Sequence, residues 1–246
     1  AERMTNVGTA GATEGLSISA DDLYEANQGM TFPGAYALMS RAYFDRYGWT
    51  KTDLGHIAVK NHENALENEY AQLRTEITLE DHAEATALAS PLGLYDSCPI
   101  TDGAAAIVLA SPDYAEQHGL DAGVAITGTG QGGDRLALHD RDDITKTPAA
   151  EAAADEAYDD AGIGPADIDF AEVHDCFTIA EVLAVEALDF FETGEGIAKA
   201  REGVTTRDGA LPVNVTGGLK AKGHPVGATG VSQIAHVTML LRGDHG

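Results

Sequence analysis

The chain has 246 residues, 43% hydrophobic and 22% charged, a composition that suits one large folded domain or two small ones and excludes a disordered tail or a disulfide-dense miniature. Against 15 Lys and Arg stand 40 Asp and Glu, and the resulting charge of −25 repels phosphate, which argues against nucleic acid or an anionic membrane as partner. The acid is dispersed, as at Glu151, Asp155, Glu156, Asp159 and Asp160, and reads as a solvated surface suited to a halophile's cytoplasm.

The opening AERMTNVGTAG has no basic stretch leading into an apolar one, so no signal peptide is expected; it lacks an initiator Met and reads as starting within a domain. Residues 8–34 are rich in Gly, Ser, Thr and Asn and read mostly as loop, punctuated by Phe32-Pro33-Gly34. Tyr36, Leu38, Met39, Ala42, Tyr43 and Tyr47 give helical spacing over Ala35–Tyr47, closed by Gly48. Thr52 is the expected N-cap of a second helix running to about Glu63. Ala104–Ala110 (AAAIVLA) is far short of a membrane span and suits a buried strand, and Val124–Thr127 suits another. Thr147 and Pro148 open a helix that runs through Ala149–Ala161 to Gly162. Ile168–His174 reads as a strand, Thr178–Phe191 as a helix, Val213–Val215 as a short strand and Gly230–Leu241 as a helix. Alternation of this kind predicts an α/β layered architecture.

Gly128-Thr129-Gly130-Gln131-Gly132-Gly133 matches GxGxxG, but the DRLALHDRDD that follows lacks helical apolar spacing, so a flexible connector is the better reading than a nucleotide loop. No GxxxxGK[ST], GxSxG or HExxH motif is present, which disfavours phosphate-loop ATPases, serine esterases and zincin peptidases. The two cysteines, Cys98 and Cys176, form no CxxC pair, and no His cluster has zinc spacing; neither a disulfide framework nor a metal site is expected.

Two segments carry chemistry. In His174-Asp175-Cys176-Phe177, strand alternation puts His174 and Cys176 on one face and turns Asp175 away. Cys176 would then sit at a helix entry, where the dipole favours thiolate, and a thiol beside an imidazole serves as nucleophile or acid/base. The plainer reading is an inert buried cysteine. The loop Asn214–Gly230 (NVTGGLKAKGHPVGATG) has five glycines around His224 and opens onto an apolar helix. Glycines let backbone approach a ligand and Pro225 stiffens the chain, so His224 would be held facing a pocket. Its plainer reading is a tight connection with a solvent-facing imidazole.

Together these segments resemble the thiolase superfamily. HDCFTIAEVLAVEAL is similar to the motif of sterol-carrier-protein-type and archaeal thiolases, and NVTGGLKAKGHPVGATG to the family's Gly-His-Pro loop. YDSCPITDGAAAIVLAS (residues 95–111) is similar to the approach to the last strand of the family's first half; QGMTFPGAYALMSRAYFDRYG and NHENALENEYAQ resemble its loop domain. The resemblance implies a layered αβαβα fold of two similar halves, incomplete at both ends. Residues 1–90 would be the loop domain, 91–119 the end of the N-terminal half and 120–246 a truncated C-terminal half.

The implied activity is acyl transfer between coenzyme A thioesters: thiolysis of acetoacetyl-CoA or another 3-oxoacyl-CoA, or Claisen condensation in reverse. Acyl-CoA and free coenzyme A would be substrates, with no permanently bound cofactor. By position, His224 would help activate the acyl-accepting cysteine and donate to the thioester oxygen. His174 would share that oxyanion hole, directly or through water, and Cys176 would move the α-carbon proton. Cys98, Gly223 and Gly227 would line the coenzyme A channel. The resemblance also implies a cytoplasmic dimer or tetramer and, as in archaeal members, a small zinc-ribbon and OB-fold partner. One departure stands out: the family's acyl-accepting cysteine precedes the loop domain, and no cysteine precedes Cys98. The chain is therefore expected to be a fragment, inactive alone. A non-catalytic thiolase-fold subunit is the alternative, and a Cys–His hydrolase using Cys176 and His224 is a third reading.

Overall fold

The computed structural model describes residues 1–120 and 123–244, and its helices start and stop where local chemistry asks. Helix α1 spans Gly8–Ser17 and α2 spans Phe32–Tyr47. Thr31 caps α2 by accepting from the Gly34 N–H at 3.3 Å, Pro33 sits in the first turn, and Gly48 closes it at φ 79°. Helix α3 covers Lys51–Ala65. Its cap is Thr50 rather than the expected Thr52, because Asp53 lies three residues on and accepts from the Thr50 N–H at 3.0 Å and hydroxyl at 2.6 Å. Short helices α4 (Leu79–Glu84) and α5 (Pro112–Gln117) follow. Then come α6 (Pro148–Ala161), ended by Gly162 at φ 69°, α7 (Thr178–Ala187), α8 (Gly196–Arg201) and α9 (Val226–Arg242).

Helix α7 is the hub of the core. Its sequence, TIAEVLAVEA, is apolar on nearly every side, as a helix surrounded by others must be. Ile179, Val182 and Leu183 pack with Tyr43 and Met39 of α2, Leu54 and Ile57 of α3, Ile197 of α8, and Leu219. A second cluster joins Val173, Val185 and Val213, with Phe190 and Phe191 packed on it.

Several expectations are corrected. Residues 8–34 are largely helical, holding α1 and a 3-10 turn at Ala26–Gln28. Helix α7 ends at Ala187 instead of Phe191, where Asp189 turns left-handed at φ 56°; the two phenylalanines extend the apolar spacing while serving the Val173 cluster from outside the helix. Helix α9 begins at Val226, directly after Pro225, four residues ahead of Gly230.

The expected strands fare worse. Among the described residues the sheet is one antiparallel pair, β1 (Ala87–Ala89) with β2 (Leu92–Gly93). Ala104–Ala110 and Val124–Thr127 run without strand partners, and Val108 is 97% exposed. Ile168–His174 and Val213–Val215 touch through a single parallel bridge, Ala171 to Val213. An apolar run predicts a chain that wants to be a buried strand; the ladder also needs a neighbour, and sequence periodicity is silent on that.

The Gly128–Gly133 connector is seated, not free. A Cβ on Gly128, Gly130 or Gly132 would overlap the carbonyl oxygens of Ala157, Ala153 and Ala149, which lie one turn apart along α6. The Thr129 and Gln131 N–H groups between them donate to Asp160 at 3.1 Å and Glu156 at 2.8 Å. Alternate glycines thus lay an extended segment flush on a helix. Positions 121–122, beside the expected boundary between halves, and 245–246, where the expected C-terminal half closes, lie outside the described residues.

Candidate active site

An extended stretch, Ser97–Gly103, stitches the two chemistry-bearing segments together. Ser97 pairs antiparallel with Phe177, and the Cys98 N–H donates to the Cys176 carbonyl at 2.9 Å. Two residues on, Ile100 pairs parallel with His224, and the His224 N–H donates to Thr101 Oγ1 at 2.9 Å. At about 3.3 Å per residue, Cys176 and His224 are attached to points roughly 7 Å apart on one rail. The rings of His174 and His224 meet edge to face, centroids 4.8 Å apart and planes at 86°.

His224 is buried, and its tautomer is set by its neighbours. Thr229 Oγ1 donates to the Pro225 carbonyl at 3.0 Å, so it accepts from Nδ1–H of His224 at 2.7 Å. Nε2 is then an unprotonated acceptor. Burial, aided by the adjacent His174, pushes the His224 pKa down to about 4, so the ring is neutral at pH 7. His174 is exposed, yet enough protein surrounds the ring to lower its pKa too.

Cys176 contradicts the expected thiolate. Burial pushes its thiol up to about 12; hydrogen bonding from Tyr36 is the main pull the other way, and the neighbouring Asp175 adds a smaller push upward. The thiol is therefore held neutral. Tyr36, on α2, stacks on Phe177 with centroids 4.5 Å apart, and burial raises its own pKa well above the usual phenol value. Burial likewise raises Cys98, which is partly exposed beside Cys176.

A largely apolar cavity of about 380 Å³ opens beside this arrangement. Tyr36, Met39, Leu138, Arg141, His174 and Leu183 are among its walls. Of the three expected reactive residues, His174 reaches the cavity wall, and Cys176 and His224 are not among the residues lining it. None of the three expected coenzyme A contacts lines it. Cys98 packs on the core; Gly223, at φ 114°, backs onto Thr101 and Gln72; and the Gly227 N–H donates to Glu2 at 3.1 Å. Among the described residues no three His, Cys, Asp or Glu side chains gather as metal ligands.

The chain has counterparts among known proteins. Residues 130–246 match the family model described as "Thiolase C-terminal domain-like". Over 245 residues the chain is 45% identical to the acetyl-CoA acetyltransferase of Methanothermobacter thermautotrophicus, covering 100% of this chain and 63% of that protein. It is 33% identical over 218 residues to human sterol carrier protein 2, covering 87% of this chain and 40% of the other. Among solved structures, the Ltp2-ChsH2(DUF35) aldolase superposes with a TM-score of 0.80 at 28% identity, over 90% of this chain and 59% of that one. This chain belongs to the thiolase superfamily. Its fold is accordingly α/β and thiolase-like, and it spans less than two thirds of the curated thiolase relatives it matches.

Beneath the thiolase motifs lies a polar layer that the residue-by-residue reading missed. Lys60 Nζ bonds Glu181 Oε1 at 2.7 Å, while Asn61 and Asn214 donate to Glu181 Oε2 at 2.9 and 2.7 Å. All four side chains are buried. Glu172 accepts from the Thr216 N–H and hydroxyl at 2.9 and 2.8 Å, and Lys222 lies 3.6 Å away. The available signal was Glu181 standing alone within TIAEVLAV, a charge where helical spacing demands apolar packing.

Proposed function

We propose that the protein is an acyltransferase of the thiolase type, moving acetyl groups between coenzyme A thioesters by cleaving acetoacetyl-CoA or forming it. The observation that carries this is the edge-to-face pair His174–His224 beside a buried, neutral Cys176. In thiolysis, an acyl-accepting thiolate attacks the 3-oxo carbon, the C2–C3 bond breaks, and the electron pair becomes the enolate of acetyl-CoA. The neutral Cys176 thiol protonates that enolate carbon; the resulting thiolate recovers its proton from the incoming coenzyme A thiol, whose sulfur takes the acyl group. Neutral His224 offers Nε2 to the acyl-accepting thiol as a base and, once protonated, donates to the developing oxyanion alongside His174.

Both cysteines of this chain follow the loop-domain segment of residues 1–90, so neither is assigned the acyl-accepting role. The cavity beside His174 would receive the acyl or pantetheine arm of the substrate, with Cys98, Gly223 and Gly227 backing the site rather than touching that arm. The domain division at residues 90 and 119 follows from the same reading. So do a cytoplasmic setting and assembly as a dimer or tetramer. The name of the aldolase complex pairs its thiolase-like protein with a DUF35 protein, which supports a small zinc-ribbon and OB-fold partner here as well.

The test is acetoacetyl-CoA thiolysis by the full-length protein and its Cys176→Ala variant. The variant should lose about 100-fold or more in kcat, the scale of a lost acid/base group; wild-type turnover in the variant would remove Cys176 from the chemistry.

A further inference from the structure

Asp175 sits between His174 and Cys176 in the chain, and its side chain turns inward, wholly buried. Oδ1 accepts from the Leu219 N–H at 2.6 Å, Oδ2 accepts from Asn61 Nδ2 at 2.8 Å, and the Lys220 N–H approaches Oδ2 at 3.4 Å. Directly after left-handed Gly217 and Gly218, at φ 102° and 58°, the consecutive Leu219 and Lys220 N–H groups point at one place, as in the concave backbone arrangements that bind anions. Here the chain's own carboxylate fills it. Gly218 has no substitute, since a Cβ there would stand 2.7 Å from the Asp175 carboxyl carbon. The same loop goes on to present His224. One carboxylate therefore joins the segment bearing His174 and Cys176 to the loop bearing His224.

The groups around it set its behaviour. Lys60 and Asn61 face it from α3, Glu181 from α7, Glu172 from the preceding segment and Lys220 from the loop, with the Cys98 and Cys176 thiols nearby. Burial, then Glu181, pushes the carboxyl up to about 7; the Leu219 N–H and Lys60 pull it back.

We propose that Asp175 is a positioning residue, a buried clamp whose two loop N–H contacts fix His224 relative to His174 and Cys176. The proposal rests on the thiolase reading for its catalytic consequence alone; the clamp itself is a matter of geometry. The loop's N–H groups stabilise the ionised carboxylate, so the loop is held firmly above the titration near pH 7 and loosened below it. His224 and Cys176 titrate at about 4 and about 12, far from that range. Lys220, which burial lowers to about 8, is the neighbour to separate.

Two measurements on the full-length protein decide it. In Asp175→Asn, amide hydrogen exchange of residues 217–224 should accelerate at least about tenfold, with α6 unchanged. In the same variant kcat for acetoacetyl-CoA thiolysis should fall about 10- to 100-fold, the usual cost of removing a residue that orients a reacting group. KM should move little, and the kcat limb near pH 7 should vanish, while it survives in Lys220→Met. Should Asp175→Asn fail to fold, Asn61→Ala serves: exchange in the loop rises and the limb moves to higher pH. Unchanged exchange in both variants overturns the clamp whether or not the enzyme turns over, whereas absence of wild-type thiolysis overturns only the thiolase reading.

Discussion

Thr229 decides which nitrogen of His224 carries the proton. Its hydroxyl hydrogen is committed to Pro225, so the imidazole must donate from Nδ1 and keep Nε2 free. Thr229→Val keeps the shape and removes the acceptor. In the full-length protein it should lower kcat about 10- to 100-fold while costing about 1 kcal/mol of stability, read by thiolysis and thermal melting. Full activity in that variant would show that the tautomer is set elsewhere. Cys176 shows how a correct local argument loses to a larger one. A helix N-terminus is worth about 0.3–1 kcal/mol to a nearby anion. Lifting the thiol from 9 to about 12 corresponds to about 4 kcal/mol, so burial wins and the thiol stays protonated. The sequence shows the helix entry; it does not show that packing brings Tyr36 of α2 onto Phe177 and the thiol, which is buried in the fold.

Element by element, helices were the legible part because their determinants are local: Thr31, Pro33 and Gly48 bracket α2, and Pro148 and Gly162 bracket α6. Strands were not, because Ala104–Ala110 and Val124–Thr127 specify an appetite for pairing and no partner. Gly128, Gly130 and Gly132 look like a nucleotide fingerprint or a linker until their two-residue period is set against α6. Gly130→Ala would drive a methyl into the Ala153 carbonyl. A loss of about 1–3 kcal/mol is expected, at about 2–4 °C of Tm per kcal/mol in a protein of this size. Gly133→Ala, where a Cβ meets nothing within 4 Å, should stay within about 0.5 kcal/mol of wild type. Equal Tm values for the two variants would show that the segment does not bear on α6.

At the scale of the whole molecule, the −25 charge and the buried polar layer answer to different demands. Surface carboxylates repel one another, and salt screens them over about 10 Å at 0.1 M and about 3 Å at 1 M. The full-length protein's Tm should therefore rise between about 0.1 and 2 M KCl, and a fall over that range would contradict a halophilic surface. The candidate site was legible where its chemistry is unusual in sequence, in HDCF and in the glycine loop around His224. It was illegible where Asp175, Glu181, Lys60, Asn61 and Asn214 converge from four separate segments, since only folding brings those residues within 3 Å of one another's partners. The central claim is that Cys176 moves the proton at the carbon next to a thioester carbonyl. Incubating the full-length protein with acetyl-CoA in deuterated water, and following the acetyl methyl group by NMR, reads that step alone. Deuterium should enter with the wild type and not with Cys176→Ala; exchange at equal rates in both would contradict the account.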